Sequence, residues 1–170
     1  MVYSVGDKVT YGIHGVCVIC EIEKKEFMGK FSDYYVLRPV YDERSTVFVP
    51  TDNETLVSKM SRIMTAREIY DLIKLMPSED NIWIESSTDR KKKYAEILKS
   101  GDRHALVRLI KTLYLHREKQ KEAKKKLHIS DESFLRDAEK LLYEEFAHVL
   151  NITKDQVLPF IMRQIEIEEK

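Results

Sequence analysis

Only two cysteines occur in the 170 residues, Cys17 and Cys20. Their Cys-x-x-Cys spacing is that of metal and redox sites. They fall, however, in Val16–Glu23, which reads as a strand, and residues three apart on a strand point to opposite faces. No second cysteine pair and no histidine pair accompanies them, so they are expected to be packing thiols rather than ligands. The sequence also lacks a glycine-rich phosphate loop, a His-Glu-x-x-His helix and a nucleophile elbow. Its histidines, at 14, 104, 116, 128 and 148, are nowhere at ligand spacing, and His14, in a Gly-x-His-Gly turn, suits a backbone-bonding role. Glu144-Glu145 and the C-terminal Glu166, Glu168 and Glu169 read as solvated helix faces rather than hydrolytic carboxylates. The expectation is a protein that is not an enzyme, with no cofactor, no metal and no small-molecule substrate. No apolar run approaches the length of a bilayer, and the N-terminus has no charged region followed by an apolar core, so a cytoplasmic chain without membrane contact is expected.

Net charge is also absent, with 29 Lys and Arg against 29 Asp and Glu. That balance hides a segregation. The stretch Ser86 to His128 holds fourteen Lys and Arg and five Asp and Glu, a net +9, so the remainder carries −9. Arg90-Lys91-Lys92-Lys93, Arg103, Arg108 and Lys124-Lys125-Lys126 lie in it. Charge this concentrated inside a helical pattern is expected to meet a polyanion, most often nucleic acid, although a basic patch has no sequence code of its own. The alternative is a solvated helix face, and for Lys124 to Lys126 a solubilising arm.

Residues 1–57 read as β structure. Lys8 to Tyr11, Val16 to Glu23, Asp33 to Arg38 and Thr46 to Pro50 supply four strands, with turns at Gly6-Asp7, His14-Gly15 and Met28-Gly29-Lys30. Alternation puts Val16, Val18, Cys20 and Ile22 on one face of the second strand, and sets Val47 and Val49 against Phe48 in the fourth. So short a segment is expected to curl into a small SH3- or Tudor-like barrel with an open edge, suited beside exposed Phe27 and Phe31 to a protein partner that adds a strand. From Ser58 the pattern is helical. Thr65-Ala66-Arg67-Glu68 is a capping box ahead of Ile69, Leu72, Ile73 and Met76, and Pro77 ends that helix. A connector, Pro77 to Ser87, carries the only tryptophan, Trp83. In extended backbone it would point away from Ile82 and Ile84.

The basic block resolves into two helices. The first, Thr88 to Lys99, has Tyr94, Ile97 and Leu98 inward and stops at Gly101. The second is capped by Asp102 and buries Leu106, Leu109, Ile110 and Leu113. His116 to Lys126 has no apolar stripe, so it reads as a projecting helix or a frayed arm that no core holds. Ser130-Asp131-Glu132 opens another helix, with Phe134, Leu135, Ala138, Leu142, Phe146 and Val149 buried. A last helix starts at Thr153 or, because of the proline, near Pro159. The fold class is therefore α+β in two domains: a small β-barrel over 1–57 and an all-α domain over 58–170.

The run Val5-Gly6-Asp7-Lys8-Val9-x-Tyr11-Gly12-x-His14-Gly15-Val16, followed by Tyr35-Val36-Leu37 and Thr46-Val47-Phe48-Val49-Pro50, resembles the N-terminal module of the CarD (CdnL) family of bacterial transcription regulators. A similar module occurs in the transcription-repair coupling factor. Lys99-Ser100-Gly101-Asp102 extends the resemblance into the helical half. The resemblance implies an N-terminal module that binds the RNA polymerase β subunit and a helical domain that touches promoter double-stranded DNA at the upstream edge of the melted bubble. It implies polymerase contacts at the positions of Lys25 and Phe48, to which exposed Phe27 beside the open edge is added as a third expected contact. Phe48 stands where the family often has arginine, and would contribute apolar area instead unless the helical half covers it. The resemblance makes the cations of the basic block that charge already marks, Arg90, Lys91, Lys92, Lys93, Arg103 and Arg108, the expected DNA contacts. It also implies a minor-groove wedge at Trp83, which lies about one helical turn early for that role; a tryptophan capping the core is the alternative. Two rival readings are a helix-turn-helix repressor built on Phe134 to Leu150, Asn151-Ile152-Thr153 and the last helix, and an adaptor whose basic arm binds RNA or an acidic protein. The repressor's recognition helix would turn Glu166, Glu168 and Glu169 toward phosphates.

Overall fold

The computed structural model describes the backbone of residues 2–169 and the side chains of residues 2–166. The chain divides into two compact units, Met1–Ile63 and Met64–Lys170.

The first unit is a five-stranded antiparallel sheet in the order β4-β3-β2-β1-β5. Its strands are β1 (Lys8–Tyr11), β2 (Val16–Phe27), β3 (Lys30–Pro39), β4 (Val47–Pro50) and β5 (Met60–Arg62). The expected barrel is not closed, because β4 and β5 form the two edges and do not pair with each other among the described residues. Helical structure does not begin at Ser58 either. A four-residue helix, α1 (Glu54–Val57), is capped by Asn53 Oδ1, which accepts the Leu56 N–H at 3.1 Å. After it, β5 pairs with β1, Val9 opposite Arg62 and Tyr11 opposite Met60, and carries the unit to Ile63. Three residues are too short a run for alternation to reveal.

The inner face of β2 also differs from the expected one. Cys17 and Ile19 are fully buried, Cys20 is exposed, and the ladder slips between Ile19 and Glu21, a β-bulge. The extra residue shifts the phase by one position, so Ile22, not Glu21, joins Tyr35 and Leu37 inside. The small core of Val9, Cys17, Ile19, Tyr35, Leu37, Val49 and Met60 is closed by Tyr3, whose hydroxyl donates to the Met60 carbonyl at 3.0 Å. The β2–β3 hairpin turns on Met28 (φ 52°) and Gly29 (φ 78°), the two positive φ values a tight hairpin needs to match strand twist.

The second unit packs five helices around one core: α2 (Ala66–Leu75), α3 (Ser87–Ser100), α4 (Arg103–Glu122), α5 (Ile129–Leu150) and α6 (Lys154–Glu169). The capping box forms as expected, Thr65 Oγ1 accepting from Glu68 N–H at 3.1 Å and Glu68 Oε2 from Thr65 N–H at 3.4 Å. Gly101 (φ 73°) ends α3 and Asp102 starts α4. The lysine-rich end of α4 is a helix as far as Glu122, and the chain beyond it is held. Lys124 takes φ 58° and Leu127 is buried in the core. A single leucine among lysines is an anchor that no periodic pattern announces. Residues of α6 are helical from Lys154, through Pro159. The proline removes one bond, to the Asp155 carbonyl in the first turn, where both residues are exposed and water can satisfy it.

Candidate nucleic-acid and protein-binding surfaces

Three of the six predicted DNA-contact cations pair with carboxylates, Arg90 and Arg103 inside the helical unit and Arg108 at a partly exposed position. Arg90 lies one turn before Tyr94 on the buried side of α3 and is 6% exposed. Its Nε and Nη2 donate to the two Asp131 oxygens at 2.9 and 3.0 Å, and its Nη1 donates to the carbonyls of Ile84 at 2.9 Å and Glu85 at 3.3 Å. The guanidinium fork is thus spent on α5 and on the connector ahead of its own helix. Arg103 makes a second bidentate pair, Nε and Nη2 to Glu145 at 3.0 and 2.7 Å, and Glu145 Oε2 also accepts the Met64 N–H at 2.9 Å. Arg108 Nε donates to Glu79 at 2.7 Å. Lys91, Lys92 and Lys93, by contrast, are exposed on the outer side of α3, and no ion pair engages them among the described residues. Lys124, Lys125 and Lys126 are exposed as well.

The connector between α2 and α3 is strapped onto the helices by the same basic block. Thr112 Oγ1 accepts the Ile82 N–H at 2.9 Å, the Tyr94 hydroxyl donates to the Ile82 carbonyl at 3.2 Å, and Lys111 Nζ donates to the carbonyls of Pro77 and Glu79 at 2.7 and 2.9 Å. Trp83 does not point away from its neighbours as extended backbone predicts. Ile82, Trp83 and Ile84 are all half-buried against the core. The indole stacks on His116 with centroids 3.7 Å apart and planes 18° from parallel. The Arg90 guanidinium lies 4.3 Å from the ring centroid, and the indole N–H donates to Glu85 at 3.2 Å.

Glu79 is the acidic end of this strap. Burial pushes its carboxyl up, but hydrogen bonds and charge from His104 and Arg108 outweigh that and hold it below the usual carboxylate range. A lowered pKa in the fold means stability that is complete above the unfolded value, about 4.3, and is lost as pH falls through the folded value. Glu79→Gln is therefore expected to lower the melting temperature at neutral pH and to lose that deficit below about pH 4. A deficit that persists unchanged into acid would mean that the charge of Glu79 does not secure the strap.

In the first unit, strand register puts Lys25, Phe27 and Phe48 on one face of the sheet, because their partners Ser32, Lys30 and Val36 alternate along β3. Lys25 Nζ sits 3.7 Å over the Phe48 ring, which is 40% exposed. Phe27, Met28 and Phe31 make the hairpin tip an exposed apolar knob.

The chain matches two family descriptions in series: "CarD-like/TRCF RID domain" over residues 3–64, a polymerase-interacting module, and "CarD, C-terminal domain" over residues 71–161. It is also similar to YdeB, a candidate transcription factor of Bacillus subtilis (strain 168), at 25% identity over 158 residues, 93% of this chain and 99% of that protein. An open antiparallel sheet whose outer face joins Lys25, Phe27 and Phe48, ahead of a helical unit with an exposed lysine ridge, is thus matched along nearly its whole length, and the chain belongs to the CarD-like family of transcription regulators.

Proposed function

We propose that the protein docks on the β subunit of RNA polymerase through its sheet unit and holds promoter double-stranded DNA, at the upstream edge of the bubble, through the outer side of α3. The observation that carries this reading is the division within the basic block. Arg90 and Arg103 are consumed by buried carboxylates and the partly exposed Arg108 pairs with Glu79, whereas Lys91, Lys92 and Lys93 stand together in solvent. The arginines serve DNA binding only by fixing the ridge that carries the lysines. Docking tethers the helical unit near DNA at an effective concentration in the millimolar range, so a few phosphate contacts suffice. The Lys91→Gln, Lys92→Gln, Lys93→Gln triple variant should fold normally and flatten the slope of log affinity against log salt by about 3. An unchanged slope would remove α3 from the interface.

Trp83 belongs to the same proposal as a wedge that leaves the His116 stack to enter the minor groove, which costs least where base pairs are already opening. In a folded Trp83→Ala variant, binding to a mismatched bubble should weaken more than binding to closed duplex; equal loss on both would assign the indole to packing alone. On the sheet, Phe48→Asp places a charge in the proposed docking face and should weaken polymerase binding by about tenfold or more without unfolding the chain. Full affinity in that variant would exclude this face. A helix-turn-helix repressor is disfavoured by α6, which buries Val157 and Ile161 and exposes Asp155 and Glu166; the side chains of Glu168 and Glu169 lie outside the described residues.

A further inference from the structure

The connector that carries Trp83 is pinned on both sides of the indole. Ile82 is bonded through its N–H to Thr112 and through its carbonyl to Tyr94, and the carbonyls of Ile84 and Glu85 accept from Arg90. With the backbone fixed, the Trp83 side chain moves about its own two torsions. Three groups hold it: the His116 ring, the Arg90 guanidinium and the exposed Glu85 carboxylate on the indole N–H. Indole and imidazole are each only half-buried, so their stack lies at the surface.

Helix α4 sets the place of His116. Thr112, His116 and Gln120 follow at i, i+4 and i+8 along one side of it. Thr112 anchors Ile82, His116 takes the next residue, Trp83, and Gln120 Nε2 lies 3.3 Å from His116 Nε2, steadying the ring from the turn beyond. The imidazole thereby stands as a base would, with centroids 3.7 Å apart and planes 18° from parallel. The other two contacts do not compete with a base in this way. Arg90 stays committed to Asp131 and the connector carbonyls wherever the indole lies, and water can replace Glu85.

We infer that His116 is the positioning residue of the Trp83 wedge: its imidazole serves as a substitute base that holds the indole back, and DNA must displace it. The inference rests on the wedge reading of Trp83. An indole inserted at a base step gives its faces to the bases, so insertion and the His116 stack exclude each other. At a bubble edge the His116 stack is the main thing lost. In closed duplex, base stacking must be broken as well, which costs more than the His116 stack is worth, so the indole stays on His116 there.

The full-length protein and its variants are compared on a mismatched bubble and on the matching closed duplex, after melting curves establish that each variant folds. Trp83 is the only tryptophan, so acrylamide quenching of its fluorescence reads the stack directly. His116→Ala and His116→Gln, which both remove the ring, should open Trp83 to the quencher and raise the bubble-to-duplex affinity ratio about two- to tenfold, the worth of an aromatic stack. His116→Phe, which restores a flat ring, should return both readings toward the wild type. His116→Ala combined with Trp83→Ala should show no gain over Trp83→Ala alone, because His116 acts through the indole. An unchanged or lower ratio in His116→Ala, where Trp83→Ala loses the bubble selectively, would overturn the inference and leave the wedge standing. A gain that persists without Trp83 would overturn it too, since His116 would then act on DNA itself. If Trp83→Ala loses both DNAs equally, the wedge is wrong and the role of His116 falls with it.

Discussion

Arg90→Ala is expected to destabilise the helical unit by about 3–5 kcal/mol, because it strands Asp131, 2% exposed, as an unpaired buried carboxylate. Two connector carbonyls lose their donor in the same step. That loss is a large part of the 5–15 kcal/mol that holds a typical domain. Arg90→Lys should recover little, since an ammonium cannot reach two carboxylate oxygens and two carbonyls from one fixed plane. Asp131→Ala should cost a similar amount. Arg90→Met with Asp131→Leu should cost less than either single change, because it removes both buried charges together. Thermal denaturation of the four variants tests this directly. If Arg90→Ala keeps its melting temperature and only loses DNA affinity, Arg90 is a phosphate ligand after all, and the internal geometry is not what the fold depends on.

The same arginine shows where the sequence was readable and where it was not. Composition places Arg90 in a run of four cations, which reads as one surface. Periodicity places it elsewhere: Arg90, Tyr94, Ile97 and Leu98 fall at i, i+4, i+7 and i+8, one buried stripe. The run therefore holds one inward residue and three outward ones, and the stripe was the signal that separates them. Glu145 was legible in the same way, since it neighbours Phe146 on the side of α5 that carries Leu142 and Ala138. What periodicity could not supply is the partner, because Arg90 and Asp131 are 41 residues apart and only tertiary packing joins them. Helices α2 to α5 and the first four strands followed from capping residues, glycine stops and alternation. The bulge at Cys20, the three-residue β5 and the Leu127 anchor did not, since each is a single-residue or single-turn event below the length that a period needs. Pro159 misled for a different reason: its cost depends on whether the orphaned carbonyl meets water, which sequence does not record.

Glu145→Ala should cost as much as Arg90→Ala, again about 3–5 kcal/mol, and for two coupled reasons. Glu145 is 3% exposed and accepts from both Arg103 and the Met64 N–H, so its loss takes two hydrogen bonds from a largely buried guanidinium and the acceptor from a buried amide. The amide lies just ahead of α2, at the start of the helical unit. The link thus ties the beginning of that unit to α4 and α5 at one carboxylate. Glu145→Gln should be nearly as harmful, because the amide nitrogen turns a donor toward either Arg103 or Met64, both of which are donors. Hydrogen exchange at Met64 reports the second loss separately from global unfolding: in Arg103→Ala it should stay protected, and in Glu145→Ala it should not. The functional corollary is sharp. In a folded Arg103→Ala chain the salt slope of DNA binding should match the wild type, since the guanidinium already spends its charge on Glu145. A slope reduced by about one unit would instead count Arg103 among the phosphate contacts and return it to the surface that the lysines occupy.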